Sequence, residues 1–329
     1  ALSAYLLKKR GCEVSGATLV LHECVKTEVK DAEKICAALG IEHFVFEFKR
    51  HFEEIVISDF INGYISAKTP NPCIICNENI KFGLLLDKAA ELGFDKIATG
   101  HYAKKVVVDG KSYLALATDQ KKDQTYFLYR VTGEALDKTL LPLGELVKSD
   151  VRKLAETMGL ITADKKDSQG ICFVGQVGIE EFLREYVEVS PGDIIEQETG
   201  RVLGRHKGAI FYTIGQRHGL EIGGGLPYFV VGKDMINNYV FVSRNLNQGG
   251  LWAREIELRD CFWTHQVPVA GQKYHVRLRH LAPLIEAEIM ASENNTAIIQ
   301  FTTDQKTIAS GQSVVVYDGE LCLGGGIAR

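Results

Sequence analysis

The chain has 329 residues, a formal net charge of −4, 46% hydrophobic residues and 24% charged residues. This length predicts two or three domains, and the composition is typical of a globular protein with an ample core. No apolar run approaches the roughly 20 residues that cross a bilayer, which excludes a membrane-spanning helix. The charge excludes a uniformly basic protein that coats nucleic acid, although local basic patches remain compatible with it.

The first 100 residues alternate between helical periodicity and short apolar runs. The predicted helices are Leu2–Lys9, Thr27–Leu39, Phe52–Ala67 and Glu78–Leu92, and the predicted strands are Glu13–His22, Glu42–Phe48 and Lys96–Thr99. Such alternation favours an α/β domain with a parallel sheet that has helices on both faces. Ligands of these sheets bind beyond the carboxyl ends of the strands, where a Cys-X-X-Cys motif and the string Gly100-His101-Tyr102 both fall.

The rest of the chain changes to β-rich modules. A hairpin is predicted over 105–117 with Asp109-Gly110 as its turn, and helices are predicted to begin at Tyr126 and to span Lys148–Met158. Beyond about residue 190, turn signals separate short runs of β-branched residues, which is typical of small all-β domains. The predicted domains are therefore 1–189, 190–248 and 249–329, the last with about six strand candidates, enough for a small barrel.

Three of the eight cysteines, Cys73, Cys76 and Cys172, lie in polar strings broken by glycine, proline or asparagine. Reactive thiols need such a polar, partly exposed setting, whereas structural cysteines lie in apolar stripes, as Cys36 does. The eight cysteines do not form the dense framework of a secreted disulfide scaffold. The sequence therefore predicts a reducing, cytoplasmic location.

The Cys-X-X-Cys motif at Cys73 and Cys76 is open to three interpretations: a redox pair, half of a zinc site, or chance. No second Cys-X-X-Cys and no His-X3-His string exists to complete a zinc site. We expect both cysteine strings to be loops, with the positive end of the helix predicted from Glu78 lowering the pKa of the Cys76 thiol. If the fold brings Cys172 to Cys76, the two residues could carry sulfur or cycle through a disulfide.

Two other polar strings each admit two interpretations. Lys122-Asp123-Gln124 is either a solvated helix cap or, because aromatic residues follow it, part of an RNA-binding groove. Arg277, Arg279 and His280 alternate on one predicted strand and form either a solvated face or a phosphate-binding edge. The residue types alone do not decide between these interpretations.

Seven strings occur in the same order as in one known protein family and extend over essentially the whole chain. They are TPNPCIICNENIKF, ATGHYA, KDQTYFLY, LPLGELVKSDVRKLAE, KKDSQGICF, FYTIGQRHGL and GQSVVVYDGELCLGGG. A match to one string would mean little, but seven in order are very specific, and the chain resembles the tRNA-specific 2-thiouridylases (the MnmA/TrmU family). Other ATP pyrophosphatases of the same fold, such as a 4-thiouridine synthase or an amide-forming ligase, lack the KDSQGICF and GQRHGL contexts.

This resemblance implies an α/β domain of the PP-loop pyrophosphatase type (adenine nucleotide alpha-hydrolase-like), then a small central β-rich domain and a C-terminal β-barrel. It implies an enzyme that uses ATP and Mg²⁺ to replace the 2-oxygen of the wobble uridine by sulfur in tRNAs for Lys, Glu and Gln. The implied partners are tRNA and a protein that donates sulfur as a persulfide.

The resemblance also assigns roles to individual residues. Cys172 matches the cysteine that carries the persulfide, and Cys76 matches the second catalytic cysteine, which frees the sulfur or forms a Cys76–Cys172 disulfide. Asn71-Pro72-Cys73 matches the segment that contacts the target base, and Gly100 matches a glycine that contacts the nucleotide. The positions that match tRNA contacts are His101, Lys122, Asp123, Gln124, Arg279, His280 and Gln312.

Two departures from the family pattern leave alternatives open. The family's phosphate-binding SGGxDS loop would precede Ala1 and is absent, so we expect residues 1–329 to bind ATP weakly or not at all. We also expect the missing first strand to destabilise the sheet. A catalytically inactive tRNA-binding remnant is therefore one alternative. Cys73 stands where many members carry Asp, and three convergent thiols, Cys73, Cys76 and Cys172, would alternatively hold a 4Fe–4S cluster that passes sulfide to the activated uridine.

Overall fold

The computed structural model describes residues 1–22, 26–159, 170–175, 177–223, 226–245, 252–293 and 295–329. The α-helices are α1 Leu2–Lys9, α2 Lys26–Leu39, α3 Lys49–Phe52, α4 Ser58–Ile65, α5 Pro72–Cys76, α6 Leu85–Glu91, α7 Thr125–Leu128, α8 Gly133–Asp137, α9 Lys148–Thr157 and α10 Ile179–Arg184. The remaining helical segments are the π-helices Glu53–Ile57 and Asn77–Leu84 and the 3₁₀ turn Ala209–Phe211. None of the helices in these ranges is long and apolar enough to cross a membrane.

The strands are numbered along the chain as follows. They are β1 Gly16–Val20, β2 His43–Glu47, β3 Ile97–Ala98, β4 Lys104–Val108, β5 Lys111–Ala115, β6 Thr139–Leu140, β7 Gly192–Glu196, β8 Val202–His206, β9 Phe229–Asp234, β10 Tyr239–Ser243, β11 Trp252–Trp263, β12 Lys273–Arg277, β13 Ile285–Ser292, β14 Thr296–Lys306, β15 Ser313–Asp318 and β16 Leu321–Ala328.

The N-terminal α/β domain contains parallel strand pairs, as predicted, but not one continuous sheet within the described ranges. β1 pairs with β2 in parallel, and β3 pairs with β6 in parallel. The two pairs are separate sheets. β6 was missing from the sequence prediction because a two-residue strand shows no periodicity of its own.

The Cys-X-X-Cys motif lies in a helix, so the prediction that it is a loop was wrong. α5, the following π segment and α6 form one uninterrupted helical stretch over 72–91. Asn71, with φ −118° and ψ 89°, lies just outside the helix, and Pro72 occupies its first turn. Proline is favoured there because the first amides of a helix have no intrahelical acceptor, so Pro72 starts this helix instead of breaking it.

The central domain is a four-stranded sheet with the strand order β8-β7-β10-β9. β7 and β10 are parallel, and the outer pairs are antiparallel. Its core contains Ile194, Val230, Val240 and Val242, none of which is exposed to solvent. These strands lie within the predicted range 190–248, whereas the predicted boundary at 248 falls outside the described residues.

The C-terminal domain is a closed barrel of the six strands β11–β16, which confirms the predicted architecture. The strands follow the order β11-β14-β13-β12-β15-β16, and β16 returns to pair with β11. Gly324 permits this closure, because a Cβ atom at that position would overlap the carbonyl of Phe262 on β11.

The barrel is joined to the α/β domain by a shared sheet and a shared core. The hairpin β4–β5, which the sequence placed in the first domain, extends the barrel sheet because β5 pairs with β16. Tyr126 of α7 and Tyr129, which directly follows that helix, share one hydrophobic cluster with Val315 and Tyr317 of β15. The hydroxyl of Tyr126 also donates to the carbonyl of Ser313 at 2.9 Å.

A buried ion pair lies at this junction. The carboxylate of Asp123, 0% exposed, accepts a hydrogen bond at 2.6 Å from Nη1 of Arg277, which is on β12 and 5% exposed. The same carboxylate accepts bonds from the amide of Ala117 at 2.8 Å and from the hydroxyl of Thr125 at 2.6 Å. Arg277 therefore lies neither on a solvated face nor on a phosphate-binding edge, and both sequence interpretations were wrong for it.

We predict that Arg277→Met destabilises the protein by about 3–5 kcal/mol, because it leaves the Asp123 carboxylate buried without its counter-charge. Urea denaturation followed by circular dichroism measures the loss. Lys273→Met is the matched control, since Lys273 is on the same strand and pairs with Glu286 at the surface. Surface pairs contribute little to stability, so equal losses in the two variants would contradict a structural role for the buried pair.

Candidate active site around three thiols

The first helical turns over 72–91 carry two thiols of different exposure. Cys73 is half-buried, whereas Cys76 is 5% exposed and packs in a hydrophobic cluster. The π segment Asn77–Leu84 follows directly. Long π segments are rare and frequently mark functional sites.

Phe173, the neighbour of Cys172, packs against the hydrophobic cluster that contains Cys76. The Phe173 ring packs edge-on against Phe52 at 5.5 Å, Phe60 at 5.3 Å and Phe182 at 5.1 Å between ring centroids. The residues flanking Cys172 belong to the same hydrophobic cluster as Cys76. Cys172 is also near enough to Cys76 to act on it electrostatically, although residues 165–169 of the second string lie outside the described ranges.

All three cysteines are free thiols, and Cys172 is the exposed one. Burial raises the pKa of Cys76 to about 11. Burial also raises the pKa of Cys73, with a further contribution from Cys172, and desolvation raises the pKa of Cys172 itself. The expected lowering at Cys76 was wrong, because this thiol lies inside the helix and in an apolar cluster, and burial outweighs the helix dipole.

Lys81 is a functional candidate that the sequence interpretation missed. Its positive charge acts to lower the pKa of each of the three thiols, in opposition to burial. In an α-helix a residue five positions after Cys76 lies roughly 140° around the axis, away from the thiol. The i→i+5 bonding of the π segment turns Lys81 back toward the side of the helix that carries Cys76. A search for α-helical periodicity therefore does not detect that these two residues are neighbours.

Lys81 is half-buried, and no ion pair found within the described ranges includes it. A lysine ammonium without a carboxylate partner remains available to a negative charge that develops on sulfur. Among the described residues it is therefore the cation best placed to stabilise a thiolate or a persulfide anion.

Gly100 and His101 lie just after β3, at the strand end where the sequence placed a ligand. The Nδ1 atom of His101 is 2.8 Å from the hydroxyl of Thr99, and its ring lies 5.8 Å from Phe82. Burial lowers the pKa of His101 to about 3, with a further contribution from Lys81, so this imidazole is neutral. Gly100 is exposed, and a Cβ atom there would come no closer than 3.7 Å to a neighbour.

The string Lys122-Asp123-Gln124 is largely engaged within the protein. The side-chain oxygen of Gln124 accepts from the amide of Tyr102 at 2.9 Å, and the Gln124 amide donates to the Tyr102 carbonyl at 2.8 Å. Asp123 is buried in its ion pair, and Lys122 is half-buried. A contact between tRNA and the Asp123 carboxylate would require these internal bonds to open.

Asn71, Arg279 and His280 converge on Tyr126. The Asn71 side chain hydrogen-bonds Tyr126, whose ring lies 6.2 Å from that of His280, and Arg279 is near enough to interact with Tyr126 electrostatically. The His280 ring packs at 4.2 Å against Phe127, and burial lowers its pKa. Its Nδ1 atom is buried and has no hydrogen-bond partner within the described ranges, so it remains available to a ligand.

The three thiols do not form a ligand set for a metal in this arrangement. Within the described ranges, no three His, Cys, Asp or Glu side chains are grouped so that they could hold a metal ion. Cys73, Cys76 and Cys172 all belong to those ranges, and their unequal burial separates an exposed thiol from a buried one.

Three family profiles match consecutive parts of the chain. The profile described as tRNA methyl transferase HUP domain matches residues 1–176, the tRNA methyl transferase PRC-barrel domain matches 180–244, and the aminomethyltransferase beta-barrel domain matches 253–328. These descriptions agree with the observed α/β domain, central β domain and closed barrel.

Similar curated proteins cover the chain almost completely. A tRNA-specific 2-thiouridylase MnmA from Chromobacterium violaceum is 39% identical over 100% of this chain and 89% of its own length. One from Alkaliphilus oremlandii is 39% identical over 99% of this chain and 92% of its own length. A tRNA-specific 2-thiouridylase MnmA 2 from Geobacillus kaustophilus is 38% identical over 99% and 90%, respectively. On this identity and coverage, the chain belongs to the tRNA-specific 2-thiouridylase family.

Proposed function

We propose that this chain is an ATP-dependent tRNA sulfurtransferase that replaces the 2-oxygen of the wobble uridine by sulfur in tRNAs for Lys, Glu and Gln. One observation supports the chemistry above all others: Phe173, the neighbour of the exposed Cys172, packs against the hydrophobic cluster that contains the buried Cys76, and Cys172 acts electrostatically on Cys76. Two thiols that are far apart in sequence and unequal in exposure suit a relay in which one receives sulfur and the other releases it by forming a disulfide with the first.

The sulfur first reaches Cys172 by exchange with a persulfide on a donor protein, which retains a thiol while Cys172 becomes Sγ–SH. The terminal sulfur then attacks C2 of the activated uridine, and AMP leaves with the former 2-oxygen. The Cys76 thiolate then attacks Cys172 Sγ and breaks the bond between Sγ and the sulfur now attached to C2. The products are 2-thiouridine and a Cys76–Cys172 disulfide. If Cys76 attacks before the base does, the same bond breaks and the freed sulfide attacks C2.

ATP with Mg²⁺ supplies the adenylyl group that turns the 2-oxygen into a leaving group. The exposed backbone at Gly100, at the carboxyl end of β3, leaves room for a nucleotide. Mg²⁺ commonly binds substrate phosphates and needs only one or two protein carboxylates. The reducing cytoplasm is the proposed location, because a cellular dithiol must return the disulfide to two thiols after each turnover.

The target base is proposed to enter beside Asn71, Pro72 and Cys73, at the start of the helix over 72–91. A base within an anticodon loop must be unstacked to reach such a site. Phe127 and the neutral His280 offer an aromatic surface for stacking, and Arg279 is exposed for phosphate contact. Lys122, Gln124 and His101 remain proposed tRNA contacts, whereas Asp123 is proposed to act structurally and the side-chain amide of Gln312 is already engaged with the carbonyl of Thr69.

We expect Cys172→Ser and Cys76→Ser to reduce thiolation by the full-length protein to background while tRNA affinity stays within about twofold, because neither thiol is needed for phosphate contact. The assay measures ATP-dependent sulfur incorporation into tRNA from a persulfide donor. Cys12→Ser, at an exposed cysteine, is the control and should retain full activity. Undiminished activity in either site variant would remove the role assigned to that thiol, and tRNA binding without thiolation by the wild type would favour the inactive remnant.

The pH dependence of Cys76 alkylation follows from its burial. The thiolate is the reactive form, so the labelling rate should rise about tenfold per pH unit and level off only near the pKa of about 11. Iodoacetamide labelling of a variant in which Cys73 and Cys172 are Ser, followed by mass spectrometry, measures the profile. A plateau below pH 9 would show that burial does not control this thiol.

Lys81→Met should slow alkylation of Cys172 about threefold at pH 8, because loss of the nearby charge raises the thiol pKa and the lost thiolate outweighs its gain in nucleophilicity. Lys81→Arg keeps the charge and should restore most of the rate. If both variants label Cys172 at the wild-type rate, Lys81 does not stabilise charge on sulfur.

A further inference from the structure

The barrel reaches the active site through the turn between β14 and β15. The amide of Thr69 donates to the carbonyl of Ser310 at 2.8 Å, and the side-chain amide of Gln312 donates to the carbonyl of Thr69 at 2.9 Å. The turn thus provides hydrogen-bond partners for both the backbone amide and the carbonyl of Thr69. Thr69 lies shortly before the Cys-X-X-Cys helix, in a segment with no regular structure of its own.

Gly311, at the centre of this turn, allows the close approach. Its φ of +92° is in the region that favours glycine, and a Cβ atom there would lie 2.8 Å from the Cβ of Lys68 and 2.9 Å from the amide nitrogen of Thr69. Such distances require the Lys68–Thr69 backbone to move. Any side chain at Gly311 would therefore push the segment away from the barrel.

The segment from Thr69 to Pro72 is stiff, so a displacement of Thr69 also displaces Asn71 and the start of the Cys-X-X-Cys helix. Pro70 and Pro72 each have a fixed φ, and each restricts the residue before it. Pro70 is also held from the other side, because it packs against Gly63 of α4 so closely that a Cβ at Gly63 would lie 2.7 Å from its ring. Asn71 lies between the two prolines and hydrogen-bonds Tyr126.

We propose that the barrel turn Ser310–Gln312 sets the position of Asn71 and of the start of the Cys-X-X-Cys helix, with Gly311 and Gln312 as positioning residues for sulfur transfer. The inference rests on the proposed function, because Asn71 is taken to contact the target base. It extends that function by making the barrel a structural part of the catalytic site as well as a surface for tRNA. It also gives Gln312 an internal role, since its amide nitrogen already donates to Thr69.

The first test compares Gly311→Ala with Gly271→Ala. Gly271, in another turn of the same barrel, has a φ of +78°, and no atom lies within 4 Å of the position that a Cβ would take, so alanine there brings backbone strain without a clash. Because a misplacement of about 1 Å in a catalytic group can cost 10²-fold in rate, we expect Gly311→Ala to lower kcat about 10- to 100-fold with KM for tRNA within about threefold. Gly271→Ala should retain kcat within about twofold.

Amide hydrogen exchange separates failure of this inference from failure of the proposed function. The Thr69 amide should exchange faster in Gly311→Ala than in the wild type or Gly271→Ala, because its bond to Ser310 is weakened. This measurement needs no thiolation activity. Equal exchange and equal kcat in the two glycine variants would overturn the positioning role even if the enzyme thiolates tRNA.

Gln312→Met is a second test that avoids backbone strain. It keeps the length of the side chain and removes the donor to Thr69, so we expect a fall in kcat with KM for tRNA little changed. A rise in KM with kcat unchanged would instead indicate that Gln312 contacts tRNA, and it would overturn the positioning role of this residue.

Discussion

The buried ion pair between Asp123 and Arg277 is the interaction on which the arrangement of the site depends. A charge in an apolar interior costs several kcal/mol unless it is paired and hydrogen-bonded, so neither domain can bury its half without the other. Asp123 belongs to the α/β domain and Arg277 to barrel strand β12. Their pairing requires the barrel to dock in one orientation, which fixes the surroundings of the Cys-X-X-Cys helix.

A second group of hydrogen bonds also links the two domains, closer to the Cys-X-X-Cys helix. Nε of Arg130 donates to Glu78 at 2.7 Å, and Nη1 donates to the carbonyl of Asp260 on β11 at 3.1 Å. Glu78 lies in the π segment that carries Lys81. The barrel is therefore linked to the Cys-X-X-Cys helix through Thr69, before its first residue, and through Arg130, beyond its thiols.

The Cys76 thiol and two imidazoles around the helix are neutral at physiological pH. Burial keeps Cys76 protonated and keeps His101 and His280 as neutral imidazoles. A neutral, partly desolvated surface suits an uncharged uracil ring, which binds by stacking and hydrogen bonding. The negative charge required on sulfur must then be stabilised at the moment of transfer, and Lys81 is placed to do so.

The sequence predicted local structure well and non-local structure poorly. α1 and the six barrel strands follow from periodicity and turn residues, and the family strings predicted the three-domain architecture. The helix start at Pro72 was missed because proline and asparagine also signal loops. Nothing local in Lys122-Asp123-Gln124 shows that Asp123 pairs with an arginine on a barrel strand, since the same polar string at a surface would look identical.

The unequal exposure of Cys172 and Cys76 gives the proposed relay a direction. A donor protein is large and can deliver a persulfide only to a surface residue, which Cys172 is and Cys76 is not. A buried thiol with a raised pKa reacts slowly with outside electrophiles and oxidants, so Cys76 is preserved for its partner. Cys73 is intermediate in burial, and the charge of Lys81 acts to lower its pKa as well. It is therefore neither as accessible as Cys172 nor as protected as Cys76. In the proposed relay, the gradient from exposed to buried sulfur therefore orders the reaction from the surface, where a donor would dock, to the interior, where the disulfide would form.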